Sequence, residues 1–470
     1  MYFKELVLTG IRSYFGTKEY YKHVFIVMLP ILLQNLVTNF VSLLDNIMVG
    51  QVGTEPMSGV AIANQLIFVF NLFIFGGLSG AGIFTAQFVG KNDINGIRYT
   101  VRMKLYIAVA GTAIFLLLFT FAGGELITAF LHEGNEGLDL AATYNYGMTY
   151  LHVMMLQMLP FGVMQTYSSS LREAGETVVP MRASMIAVAV NLVGNYILIF
   201  GKFGAPVLGI TGAAIATVIA RFVECLILII YSHRHTKRFP FFSRLYSSLK
   251  VKKEIAAEIG KKGMPLLINE LLWSAGMAVL NQCYSLRGLE VVSAANISST
   301  ISNLFFCVTM AVGSTITIII GQHLGAGMLE EAMHDFRRIM MMGVVLCVAV
   351  GGIMVAIAPV ISGIYNTTET VKRMASEFLV VVGIFMPVGA YCNACYFTLR
   401  SGGKTIITFI FDSLFTWVCS ISLAFALTRF TDLPILTVFI LVNCMDIIKC
   451  LIGFLMVRSR KWIVNLVEDQ

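Results

Sequence analysis

The sequence predicts an all-α polytopic membrane protein, with about 12 transmembrane helices in two pseudo-symmetric six-helix lobes. Three observations lead there. Of 470 residues, 57% are hydrophobic and only 13% charged, a balance outside the range of soluble domains. Apolar stretches of spanning length follow one another almost end to end. The second half also repeats the first. A shift of 235 lays Pro30 on Pro265, Leu32 on Leu267, Gly53 on Gly288, Glu55 on Glu290, Ser58 on Ser293, Ile62 on Ile297, Gln87 on Gln322 and Gly90 on Gly325.

A helix needs ~20 apolar residues to cross the hydrocarbon core. Segments of that kind fall near 24–49, 57–82, 101–122, 143–169, 179–200, 209–232, 264–286, 296–320, 339–364, 376–398, 406–428 and 434–457. Residues 1–22 are mixed and charged, without the apolar run and cleavage site of a secretory signal. Threading the spans puts 26 of the 33 Lys and Arg on one side and 5 on the other, with Arg221 and Lys449 inside helices. The positive-inside rule then places both termini and the central loop in the cytoplasm. The net charge of +7 is thereby spent on topology and implies no nucleic-acid partner.

Six spans per half mean that both halves enter the membrane from the same side, as parallel repeats do. The expected organisation is an N-lobe over 1–232 (spans one to six), a cytoplasmic basic linker over 233–262, and a C-lobe over 263–470 (spans seven to twelve). A second echo, at a shift of 228, lays Leu171–Thr177 on Leu399–Thr405. The linker is expected to end in a short amphipathic helix between Lys250 and Lys262 on the anionic inner leaflet, and residues 1–16 to lie on the membrane likewise.

The first span carries the leading chemical signal. Between Lys22 and Glu55 there is no Lys or Arg, and Asp45 is the only acid. A charge at bilayer depth costs at least ~2.5 kcal/mol, so it is paired or functional. Pro30 removes a helical N–H and makes its helix bendable. Asn191 and Asn195 lie one turn apart in an apolar fifth span and point the same way. With Asp45 and the Thr217 hydroxyl they make an oxygen-rich set suited to Na⁺, or to H⁺ with the carboxylate alone. Glu270 is the second intramembrane acid; its repeat counterpart is Asn35, and that of Asp45 is Leu280. The halves thus share a backbone plan but not their acids.

Other charges read as structural. Arg221 with Glu224, and Asp446 with Lys449, are spaced to pair along one helix. Asp412, about two turns past Lys404, is expected to be partly solvated. Cys392 and Cys395 match C-x-x-C by spacing but lack the βαβ context of a redox motif, so packing is expected. Met154, Met155, Met158 and Met164 on span four are core, lipid-facing or lining for varied apolar ligands. No P-loop, H-E-x-x-H, G-x-S-x-G or Cys/His metal spacing is present, which argues against an enzyme and against ATP-driven transport.

Taken together, several stretches resemble the MATE family, the multidrug and toxic compound extrusion transporters, over essentially the whole chain. They are Pro30 with Asp45-Asn-Ile-Met-Val-Gly50, Leu171-Arg-Glu-Ala-Gly175-Glu-Thr177 before Pro180, Ile197–Gly201, Leu208–Thr217, Pro265–Glu270 and Lys461-Trp462-Ile. The resemblance implies two six-helix lobes around a central cavity, no cofactor, and export of cationic or amphipathic drugs in exchange for Na⁺ or H⁺. By position it makes Pro30 and Pro265 hinges and Asp45 the N-lobe ion-coupling carboxylate and candidate Na⁺ ligand, supported by Asn191, Asn195 and Thr217. Gln165 and Gln34 become cavity amides, and Glu270 the C-lobe acid, with Asn393 beside it. Two departures stand out. Many members carry Asp where this chain has Asn195, and some have an acid in helix ten where this chain runs Met386–Asn393 without one. The expected protein is a monomeric antiporter whose partners are small-molecule drugs and the lipid bilayer. The alternative reading is a lipid-linked oligosaccharide flippase of the same superfamily fold, which would need a basic cavity.

Overall fold

The computed structural model describes residues 15–131, 139–365 and 367–468, so the expectation of a membrane-lying N-terminus falls almost wholly outside the described residues. Those residues form helices and connecting turns, with no strand among them. In chain order the helices are α1 (Lys18–Gly50), α2 (Thr54–Lys91), α3 (Ile94–Phe130), α4 (Leu140–Met155), α5 (Met158–Glu173), α6 (Val178–Phe200) and α7 (Gly209–Arg234). The second half supplies α8 (Lys253–Ser285), α9 (Leu289–Gly325), α10 (Leu329–Ile364), α11 (Glu369–Ser401), α12 (Thr405–Phe430) and α13 (Ile435–Arg458). Eleven of them are long and apolar enough to cross a membrane singly.

The twelfth crossing is α4 followed by α5. The expected span 143–169 is one apolar stretch, but Pro160 has no N–H to return to the Leu156 carbonyl, and the helix closes one turn earlier. Leu156 and Gln157 donate instead to Val153 and Met154, three residues back. Pro30 and Pro265 behave differently, each lying inside an unbroken helix. The second departure from regularity is in α12, where Ile410–Leu414 and Thr416–Ile421 are π-helical. Apolar side chains such as Leu117, Phe121, Val345, Val348 and Val360 are exposed, which is the surface a bilayer covers.

Two compact units organise the chain. One comprises residues up to Leu32, Ala86–Asp93 and the chain from Met264 onward; the other comprises Leu33–Thr85 and Ile94–Gly263. In the first, Val24, Val27, Met28 and Ile31 of α1 share a buried cluster with Ile316, Ile320, Phe336 and Trp462. The end of α2 joins the same unit through a close crossing with α9. A Cβ on Gly90 would meet the Gln322 carbonyl oxygen at 1.9 Å, and one on Gly325 would meet that of Gln87 at 1.8 Å. These four positions are repeat mates, so one contact is made twice around a local pseudo-two-fold. Gly90→Ala or Gly325→Ala should force the helices apart and cost at least about 1–3 kcal/mol, read as a lower melting temperature in detergent. Gly352→Ala, whose Cβ would meet nothing within 4 Å, should be neutral or mildly stabilising.

The crossing also fastens the end of the chain. Buried Gln87 donates through Nε2 to the Ser401 and Val464 carbonyls at 3.0 and 3.3 Å, and its Oε1 accepts from Leu466 N–H at 2.7 Å. Lys91 donates to the Val467 and Glu468 carbonyls. Trp462, fully buried, donates its indole N–H to the Val457 carbonyl at 3.0 Å.

In the second unit the basic segment after α7 departs from expectation. It forms no separate amphipathic helix. Residues from Lys253 are the start of α8, and those from His235 to Lys250 pack down as a strap. Phe239, Phe241, Phe242 and Leu245 are buried. Arg98 donates to the Ser243 and Pro240 carbonyls at 3.0 and 2.9 Å, and Arg102 to those of Leu245, Lys250 and Arg244 at 2.9, 3.0 and 3.2 Å. Irregular backbone leaves carbonyls that need donors, and two guanidiniums on α3 supply them. Tyr167 of α5 stacks on Phe242 at 5.2 Å between ring centroids and shares its hydroxyl with His233 and Tyr246.

Candidate functional site

Asp45 and three other residues, from three helices in all, form a polar cage, and all four belong to one unit. The i, i+4 spacing on α6 puts Asn191 and Asn195 on one face, 6% and 1% exposed. Asn195 Nδ2 donates to Asp45 Oδ1 at 2.6 Å. The Asn191 amide, oriented with its nitrogen toward the carboxylate, donates to both Asp45 oxygens at 3.0 and 3.1 Å. Its oxygen then faces the Thr217 hydroxyl at 3.1 Å. Asn195 Oδ1 is buried with no hydrogen-bond partner among the described residues. The Arg221 guanidinium lies within electrostatic range of Asp45, but its ion pair is with Glu224 at 2.9 Å on its own helix. Among the described residues, the only ionisable group hydrogen-bonded into the cage is therefore Asp45 itself.

Both amides present N–H to the carboxylate. Turning both by 180° exchanges donor for acceptor. The same four side chains then offer only oxygens, which is the donor set of a hard cation. The set thus permits two charge-balanced states, one with a monovalent cation among oxygens and one with a proton on the carboxylate.

A second polar cluster is built in the other unit. Glu270 Oε1 accepts from the Tyr396 hydroxyl at 3.4 Å. The neighbouring Asn269, 1% exposed, organises the rest. Its Nδ2 donates to Tyr396 and to Asp412 Oδ2 at 3.2 and 3.1 Å, while its Oδ1 accepts from the Ser413 N–H and hydroxyl at 3.3 and 2.7 Å. Lys449 Nζ contacts Asp412 Oδ1 at 2.7 Å. Spacing along one helix pairs Lys449 with Asp446, but the structure pairs it across helices with Asp412, whose side chain is only 19% exposed rather than solvated. The Arg221–Glu224 pair is as its spacing suggests.

Asn393, expected beside Glu270, is not hydrogen-bonded to it; its Oδ1 is buried, without a partner among the described residues, on the side of Gly313. Gln34 and Gln165 make no hydrogen bond to the Asp45 cage, and Gln34 Oε1 is likewise buried without a partner among the described residues. Cys392 packs as a thiol, yet its sulfur neighbour is Cys450 at 3.3 Å rather than Cys395. Sequence reasoning missed Asn269 and Tyr396, which look like any polar residues in a span, and missed Lys104. That lysine, counted with the basic loops, is fully buried, 2.5 Å from Glu173 and 3.0 Å from the Ser169 hydroxyl.

A duplicated bundle of membrane-length helices, with caged carboxylates in each compact unit and no catalytic constellation among the described residues, defines a polytopic membrane transporter. The family model MatE matches residues 30–197 and again 265–426. The chain belongs to the MatE family. The "Probable multidrug resistance protein NorM" of Thermotoga maritima is 25% identical over 92% of this chain and 91% of its own length. An outward-facing multidrug resistance MATE family transporter of the MOP superfamily superposes with a TM-score of 0.85 at 18% identity, covering 96% of this chain and 97% of its own. A MOP superfamily transporter from Pyrococcus furiosus, described as having a binding pocket of reversed polarity that suggests a different function, superposes at 0.83 with 19% identity, covering 96% and 97%. At these identities the two structures speak to the fold.

Proposed function

We propose that the protein is a secondary-active multidrug efflux antiporter of the plasma (inner) membrane, its termini cytoplasmic, exporting cationic or amphipathic organic compounds in exchange for Na⁺ or H⁺. The observation that carries the reading is the Asp45 cage. One carboxylate is surrounded by two amides and a hydroxyl, with an unpartnered buried oxygen on Asn195. Such a set is costly in lipid and is by default a functional site. The repeat halves, 1–232 and 263–470 joined by 233–262, would alternate access, with bending at Pro30 and Pro265 coupled to the charge at Asp45. A ligand shifts such an equilibrium only by its differential affinity for the two states, so ion and drug act through the same acids. The multidrug resistance naming of the Thermotoga relative agrees with this reading.

The flippase alternative needs a surplus of buried bases for pyrophosphate. Around Glu270 the acids Glu270, Asp412 and Asp446 outnumber the bases Arg400 and Lys449, and no base is hydrogen-bonded to the Asp45 carboxylate among the described residues, which favours cationic cargo. The deciding experiment is efflux of a fluorescent organic cation from proteoliposomes with Na⁺ replaced by N-methylglucamine at a fixed proton gradient. Collapse assigns Na⁺. Persistence, followed by collapse when the proton gradient is dissipated, assigns H⁺. Efflux that survives loss of both gradients refutes exchange. Asn195→Asp, which adds a second acid to the cage, is expected to raise Na⁺ affinity about 5-fold or more, read as a lower half-saturating Na⁺ concentration for efflux.

A further inference from the structure

The last helix of each half carries one base in an apolar setting. The 228 shift that lays Leu171–Thr177 on Leu399–Thr405 also lays Pro206 on Pro434, Leu208 on Leu436 and Arg221 on Lys449. The two bases are used differently. Arg221 is neutralised on its own helix by Glu224, and the place of Glu224 in the second half is taken by Ile452. Lys449 reaches across to α12 instead. Its Nζ lies 2.7 Å from Asp412 Oδ1, with its side chain 11% exposed, and 5.4 Å from the Phe411 ring centroid. The second oxygen of Asp412 accepts from Asn269. Asp412 sits on the first π-helical turn of α12, a distortion that re-aims side chains and recurs at functional positions. Asp446 stands one turn before Lys449 on α13.

The contrast with Asp45 is chemical. Asp45 has amide N–H groups on its oxygens and no ammonium or guanidinium bonded to it. Asp412 has an ammonium on one oxygen and an amide on the other. We propose that Lys449 is a built-in counter-cation: its ammonium holds, opposite Asp412, the position that an exchangeable monovalent cation would take at Asp45. This rests on the ion-coupling reading of Asp45. An ammonium and Na⁺ carry the same charge and both seek oxygen, and a tethered cation is present at an effective concentration that a free ion does not match. Asp412 therefore stays neutralised through the cycle, and the exchangeable ion is confined to the Asp45 cage. A Lys449 variant without the charge should turn Asp412 and Asp446 into a cation site.

The test uses the full chain purified in detergent, in an Asp45→Asn background that silences the cage. Melting temperature is read in NaCl or LiCl against N-methylglucamine chloride at equal ionic strength. Asp45→Asn alone should show no specific response. Adding Lys449→Met should produce a rise of at least about 2 °C in NaCl or LiCl, and adding Asp412→Asn as well should remove it. Lys449→Arg should stay silent. A folded Lys449→Met protein with no Na⁺ or Li⁺ response overturns the proposal. Lys449→Gln, which keeps most of the volume and a hydrogen-bond donor, gives the same readout should the Met variant fail to fold. A Na⁺ response persisting in Asp45→Asn alone would count against the Asp45 reading, while the increment from Lys449→Met still decides this one.

Discussion

Asp45→Asn is expected to lower gradient-driven efflux by at least about tenfold, because coupling energies between sites of a few kcal/mol vanish with the charge that carries them. The variant keeps the shape of the cage but leaves three amides and a hydroxyl, none of which can bind or release a cation or proton as a charged group. The measurement is initial efflux rate from proteoliposomes under an imposed ion gradient, with protein content and melting temperature held as controls. The double variant Asp45→Asn/Asn195→Asp moves the carboxylate across a 2.6 Å hydrogen bond within the same cage. Partial recovery is expected, since the charge returns to the cluster on a different helix. Full transport by Asp45→Asn alone would remove the cage from the mechanism.

The largest effect on stability is expected from Lys104→Met. Lys104 is 0% exposed and Glu173 is 9% exposed, and the two groups are 2.5 Å apart. Removing Lys104 takes the bonded ammonium from the buried Glu173 carboxylate, and breaking a buried pair in this way costs about 3–5 kcal/mol. Removing both partners is a smaller perturbation. The Ser169 and Ser170 hydroxyls that accept from Lys104 also donate to the Thr166 carbonyl, so they keep a partner when the lysine is gone. Lys104→Met/Glu173→Leu should therefore unfold at a temperature between the wild type and the single variant. A double variant no better than the single would show that the cost lies in packing rather than in charge.

The span pattern and the Asn191–Asn195 face were legible because each depends on local spacing, ~20 residues of apolar chain or one helical turn, and the repeat because its matches recur at one constant shift. Asp45 was joined to them by chemistry, as the lone acid of the first span among oxygen-bearing side chains, since no local rule links residue 45 to residue 195. Lys104 was illegible for a related reason. It falls near the end of an apolar window, where a charge normally reaches water, and its partner Glu173 comes from a distant helix. Lys449 was misassigned because i, i+3 spacing offered Asp446 on the same helix, whereas the observed ion pair is interhelical, on a π-helical turn that sequence does not announce. The break between α4 and α5 was available in principle from Pro160 and was hidden by the unbroken apolar run around it.

The strap after α7 also determines where the duplicated chain can be divided. A joint between repeats is ordinarily the place to split a gene into co-expressed halves or to open a circular permutant. Here a cut between His235 and Lys250 would uncover Phe241 and Phe242 and strip Arg98 and Arg102 of the carbonyls they bind. The permissive position is 251–252, just before α8, which leaves the first half-chain carrying its own lid of aromatic residues. Truncation or replacement of residues 461–468 should likewise be destabilising, since Gln87 and Lys91 hold Val464, Leu466 and Val467 by their backbone.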